Sequence, residues 1–187
     1  MTGRRLHRLV WTPLLLLGAV GGAVAAPAEA RFSFQGLTPA IAGLDRAKAE
    51  AALGQPLQLE PLPAGRAAST PAAAASGAAG CQHRQAPQQP GVRYTLAGDV
   101  ITRAETRDAR YATISGVRVG DSLAQAQKAY GKRLSTGAHP YFAQGKVLTV
   151  YSPDRRFALV METNDQGRII TLRGGRLPEV GWLEGCS

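Results

Sequence analysis

Few residues of this chain could carry acid–base or nucleophilic chemistry. It has three histidines and two cysteines, and His7 falls in an N-terminal stretch with the features of an export leader, which leaves His83 and His139. Cys81-Gln82-His83 offers two ligand-type side chains where a zinc site needs three or four, so no metal site is expected. Asp121-Ser122 invites a nucleophile reading, but Ser122 stands three residues before Gln125, the pattern by which a serine caps a helix. No glycine-rich phosphate loop closing in Gly-Lys-Ser/Thr occurs, and Gly174-Gly175 reads as the end of a strand. Glu162 and Asp165 fall at a strand end and in a turn, where carboxylates face solvent. These observations point away from an enzyme and imply no cofactor; a hydrolase built around His83 or His139 is the outside reading.

Residue types suited to binding are more numerous. His139-Pro140-Tyr141-Phe142 could present two aromatics, Tyr141 and Phe142, on a loop, a composition common in interaction hot spots; the plain alternative is that they begin a strand and pack under a helix. Tyr151 precedes Ser152-Pro153-Asp154-Arg155-Arg156, which reads as an exposed hairpin tip. Its paired charges, Arg155 and Arg156, suit an anionic partner as well as a solvated turn. Arg173 and Arg176 flank Gly174-Gly175 and extend the basic character toward Trp182.

The chain begins with Arg4, Arg5 and Arg8, continues through an apolar, small-residue run from Leu9 to Ala26, and offers an A-x-A cleavage site at Ala28-Glu29-Ala30, with Ala23-Val24-Ala25 as an earlier option. That is the layout of a signal peptide spanning residues 1–30; the run is short and glycine-rich for a membrane anchor. Removing three Arg and one Glu with the leader from 22 basic and 13 acidic residues leaves 19 and 12, a net charge of +7. An exported basic protein, periplasmic or secreted, meets anionic polymers or acidic proteins. The basic residues are scattered without an aromatic-interleaved strand motif, which argues against nucleic acid. Both Cys81 and Cys186 would reach an oxidising compartment, and an even count without C-x-x-C spacing favours a structural disulfide over a free thiol.

The elements that must position these groups are announced by a repeated phrase. Gly43 to Gly54 reads GLDRAKAEAALG and Gly120 to Gly131 reads GDSLAQAQKAYG. Asp45 and Ser122 occupy equivalent N-cap positions, and Gly54 and Gly131 sit where a helix ends. Ala49 with Leu53, and Ala126 with Tyr130, are four apart and share a face. Each copy predicts a helix of about nine residues, too short to be stable alone in water. Alternating runs follow: Val92, Tyr94 and Leu96 with Arg93 and Thr95 between them, then a Gly98-Asp99 turn into Val100–Arg103; and later KVLTVYS, FALVMETN and GRIITLRGG divided by turn residues. Residues 64–80, AGRAASTPAAAASGAAG, have no apolar periodicity and read as a disordered loop.

A short helix ending in Gly, entered through V-G-D-S or G-L-D-R and followed by an antiparallel meander, resembles the outer-membrane assembly lipoprotein family called BamE or SmpA. Two such units in tandem resemble the secreted β-lactamase inhibitor protein, and the stretch from Ser115 to Ser122 with the Glu184-Gly185-Cys186 tail is similar to exported bacterial proteins ending in E-G-C. The chain lacks the lipidated cysteine of the first family, and its cysteines are too far apart for the within-repeat bridges of the second. The resemblance implies an α+β fold of two BamE-like units, each a short helical segment packed on an antiparallel β-meander, over residues 31–110 and 111–187. The expected role is non-catalytic recognition of another cell-envelope protein. The alternative is binding of an anionic or saccharide envelope polymer such as peptidoglycan or lipopolysaccharide. No stable membrane span is expected once the leader is removed.

Overall fold

The computed structural model describes residues 29–60, 80–183 and 185. Nearly all of the leader and most of the low-complexity stretch therefore lie outside the described residues, as does Cys186. The described chain is mainly β. In sequence order it forms β1 (Arg31–Ser33), β2 (Gly36–Leu37), α1 (Arg46–Leu53), β3 (Gln58–Leu59), β4 (Cys81–Gln85), β5 (Val92–Ala97), β6 (Val100–Thr106), β7 (Ala112–Thr113), α2 (Leu123–Tyr130), β8 (Leu134–Ala138), β9 (Lys146–Tyr151), β10 (Phe157–Thr163) and β11 (Ile169–Arg176).

Eight of these strands make one antiparallel sheet in the order β3-β4-β5-β6-β11-β10-β9-β8, and β2-β1-β7 make a second, small sheet. This corrects the expected α+β pair of BamE-like units. The inner strands β6 and β11 pair with each other, Ala104 opposite Gly174 and Arg103 opposite Gly175, so each half completes the other's sheet. The two helices, of eight residues each, are accessories to that sheet.

The repeated phrase does have a physical counterpart. Gly43 N–H donates to Ile101 O (2.8 Å), Ile101 N–H to Leu44 O (2.8 Å) and Arg46 N–H to Asp99 O (2.9 Å). In the second half Gly120 N–H donates to Ile169 O (2.8 Å), Ile169 N–H to Asp121 O (2.8 Å) and Leu123 N–H to Gly167 O (2.9 Å). Each helix entry is thus clipped to the start of an inner strand, β6 or β11. Asp45 caps α1 through Lys48 N–H, and Ser122 caps α2 in a full capping box with Gln125. Gly54 takes the left-handed conformation that stops α1.

The sheet has two unlike faces. One carries Val92, Tyr94, Leu96, Ile101, Ala104, Leu148, Leu159, Met161 and Leu172, which are buried with Ala49 and Ala126 of the helices and with Phe32 and Leu37 of the small sheet in one apolar core. Gly174 marks where the small sheet crosses: a Cβ there would lie 2.2 Å from Ser33 O and 2.8 Å from Gly36 N, so only hydrogen fits. The opposite face is roofed by the segment Leu177–Leu183, a strap that packs Val180 against Ala158 and Val160.

Candidate functional site

Among the described residues, the strap face holds the most deeply buried ion pairs. Strand alternation puts Arg93, Thr95, Arg103, Glu105, Glu162 and Arg173 on this side. Arg93 donates to both carboxylate oxygens of Glu60 (2.5 and 2.6 Å) and to Glu105 (3.0 Å). Glu105 in turn accepts from Arg103 Nη2 at 2.7 Å. The Arg103 guanidinium reaches across to the Trp182 carbonyl, which Arg173 Nη1 also meets at 3.1 Å. Arg173 pairs with Glu162 through Nη2, and Glu162 faces His139 Nε2 at 3.6 Å. His139 Nδ1 accepts from the backbone N–H groups of Tyr141 and Phe142, which puts its proton on Nε2, toward Glu162. The result is a chain of paired charges from β3 to the loop after β8.

Its centre is dry: Arg103 and Arg173 are each 1 % exposed. Burial opposes the charged form of Arg103, while Glu105 favours it. His83, on β4, exchanges a hydrogen bond with Thr95 Oγ1 (3.1 Å), and burial together with Arg93 holds its pKa below the ordinary histidine value. Three arginines, Arg93, Arg103 and Arg173, face three carboxylates, Glu60, Glu105 and Glu162. The three pairs balance in charge, and Arg103 and Arg173 tie them to the strap through the carbonyls of Glu179 and Trp182. A cleft of about 280 Å³ opens beside it, lined by Glu60, Gln85, Arg93, Glu105 and Arg107 among others.

The expected site residues are scattered. Arg173 is an interior residue of this network, and its expected place on an exposed basic surface is corrected. Glu162, expected in solvent, is buried as its partner. Arg176 is held by Glu179 of the strap. Trp182 exposes part of its ring while its carbonyl serves the two buried arginines. Tyr141 is 67 % exposed on a loop, and Phe142 lies against the His139 ring with centroids 4.8 Å apart; neither begins a strand. Tyr151 ends β9 at the tip that carries Arg155 and Arg156. Since β9 runs from Lys146 to Tyr151, Tyr141 and the tip lie at opposite ends of a strand roughly 17 Å long. They are two surfaces, not one.

The tip is the better built of the two. Ser152 Oγ donates to Asp154 (2.6 Å), and Asp154 accepts from the Arg156 backbone (3.1 Å) and from Arg156 Nε (2.7 Å). These bonds hold the Asp154 carboxyl well below the usual carboxylate range. Arg155 takes a left-handed backbone, φ 54°, which brings its guanidinium over the Tyr151 ring at 5.2 Å. Cys81 is buried at the head of β4 and is not a free thiol. A side chain at Gly185 would come within 2.7 Å of the His83 ring, so the residue beside Cys186 lies over β4.

Sequence reasoning missed the Glu60–Arg93–Glu105–Arg103 half of the network. Alternation held no signal for it, because Arg93 between Val92 and Tyr94 reads as solvent-facing.

No protein-family model matches the chain, and no curated protein matches it. One solved structure is similar, that of an extracellular protein containing an SCP domain from Bacillus anthracis. The two align with a TM-score of 0.43 and 11 % identity, over 74 % of this chain and 44 % of that one. The fold itself corrects the expected resemblance to the BamE family, to the tandem inhibitor protein and to proteins with an E-G-C tail, because the described strands join in one eight-stranded sheet rather than in two helix-on-meander units. No described helix is long and apolar enough to cross a membrane.

Proposed function

We propose that the protein is an exported, non-catalytic binding module that recognises another protein of the cell envelope through the β9–β10 hairpin tip. The observation that carries this reading is the Tyr151–Arg155 pair, an exposed aromatic ring with a guanidinium stacked on it. The turn beneath it is fixed by Ser152, Asp154 and Arg156. A tip already locked in one shape loses little freedom on binding, and tyrosine and arginine are the residues that dominate interaction hot spots. The leader-like N-terminus supports a periplasmic or secreted location. The Cys81–Cys186 bridge is part of the same proposal; it would pin the strap over β4.

Crosslinking capture from the cell-envelope fraction, run with wild type and with the Tyr151→Ala/Arg155→Ala double variant, tests it. A discrete protein band that survives moderate salt and is lost in the variant supports the reading. Among the described residues no carboxylate pairs with Arg155, and that favours an anionic polymer as the second reading. Binding to purified lipopolysaccharide or peptidoglycan that moderate salt abolishes, with no protein band, would replace the first reading by the second.

A further inference from the structure

The two edges of the large sheet are unlike. On one side β3 is two residues long and is followed at once by Glu60, which is locked to Arg93, so little open ladder is offered. On the other side β8 runs five residues, Leu134-Ser135-Thr136-Gly137-Ala138, in unbroken register with β9. Its last four residues are exposed. It contains no charge, no proline and no bulge, the devices that normally keep an edge strand from accepting another strand. Every second residue of such a strand turns its N–H and C=O away from its one neighbour.

The flanks of β8 indicate what would pair with it. Lys132 and Arg133 precede it, both exposed and in no ion pair with a described residue, and Tyr141 stands exposed just after its other end. An antiparallel pairing of two copies about Thr136 sets Leu134 of one opposite Ala138 of the other, so the 3-10 turn Gly131–Arg133 that leads into one β8 comes beside the loop that leaves the other. The basic pair of each copy then meets the Tyr141 ring of its mate, a cation–π contact made twice by symmetry. A parallel pairing would bring like charges together instead. We infer that β8 is a self-association edge, along which a second copy of this chain adds antiparallel and joins the two eight-stranded sheets into one. The start of this edge lies beside the tip, Leu134 being paired with Val150, but the ladder centred on Thr136 is formed by backbone that the Tyr151→Ala/Arg155→Ala variant leaves unchanged, so the two proposals fail separately.

Sedimentation equilibrium from micromolar to submillimolar concentration, on protein purified from cells expressing the full chain, tests this. The expected result is a monomer–dimer equilibrium. Thr136→Lys, which sets two ammonium groups against each other at the two-fold, should weaken it by at least about tenfold, and Tyr141→Ala by about tenfold. A monomer at every concentration overturns the inference, as does a dimer that Thr136→Lys leaves intact. Hydrogen exchange on the unaltered protein gives a reading independent of any variant. Amides of residues 134–138 should gain protection as concentration rises, and protection that does not change would overturn the proposal.

Discussion

The two faces of the eight-stranded sheet are closed by opposite means. On the helix face, α1, α2 and the small sheet bury aliphatic and aromatic side chains that need only to fit. On the strap face, arginines and glutamates are taken out of water and must each find a partner, and much of that partnership comes from the backbone carbonyls of Glu179 and Trp182. The helix face is therefore tolerant of exchange among apolar residues of similar size, whereas the buried Arg103 and Arg173 of the strap face do not tolerate the loss of a partner. Packing errors cost in proportion to volume; an orphaned buried charge costs all at once.

Reduction of the proposed Cys81–Cys186 bridge should have the largest effect on that contrast. It would free a loop of about a hundred residues, for which the chain-entropy model gives roughly 4–5 kcal/mol. Urea unfolding with and without reductant measures it, and a Cys81→Ser/Cys186→Ser variant should be indifferent to reductant. Next, Glu162→Ala strands Arg173 in the interior and should cost about 3–5 kcal/mol, against about 2–5 kcal/mol for Leu172→Ala on the other face. The sharper test is the double change Arg173→Met/Glu162→Leu, which should recover most of the Glu162→Ala loss. If it does not, the network contributes net stability beyond its own internal balance.

Gly174 and Gly175 probe the same contrast at one point of β11. A Cβ at Gly174 would strike Ser33 O, while one at Gly175 would lie 2.4 Å from Thr102 O and 2.6 Å from Arg103 Cβ. Alanine at either should cost about 1–3 kcal/mol of overpacking. Thermal unfolding of the two variants would show whether one layer yields more easily. The helix caps come after that: Ser122→Ala should cost about 1 kcal/mol, and Asp45→Ala about as much, read from urea midpoints.

The smallest effect is a pH dependence carried by the strap face. His83 has a pKa below its unfolded value, so the unfolded chain binds its proton first as pH falls. The stability this histidine contributes is complete above its unfolded pKa. It declines as pH drops from there toward the lower folded value. Urea midpoints taken between neutral and mildly acidic pH should fall more for wild type than for His83→Gln. Equal slopes would remove His83 from the account.

How much of this was legible in the sequence divides along the same faces. Val92, Tyr94 and Leu96 announced the helix face through alternation, and β9, β10 and β11 were readable as runs bounded by turn residues. The caps at Asp45 and Ser122 were also legible, because capping is local chemistry. The strap face was not, because alternation reads Arg93, Arg103 and Arg173 as solvent-facing. It cannot show that a segment seventy-odd residues further on will supply a carbonyl to Arg103. Nor could the pattern show that β6 and β11 join, since the turns on either side specify hairpins and leave the pairing between hairpins open. That single unforeseen pairing turned two expected units into one sheet.

The β6–β11 seam sets an order of events for a chain that emerges N-terminus first. The strap follows all eleven strands in sequence, so Arg103 and Arg173 emerge before the carbonyl that satisfies them both. Until then one side of the sheet is wet and charged, and the half ending at β6 lacks a neighbour along its inner edge. Such long-range closure is slow relative to local hairpins, and here it is also late. The chain in effect stays pliable while it emerges, and sets only when the strap arrives.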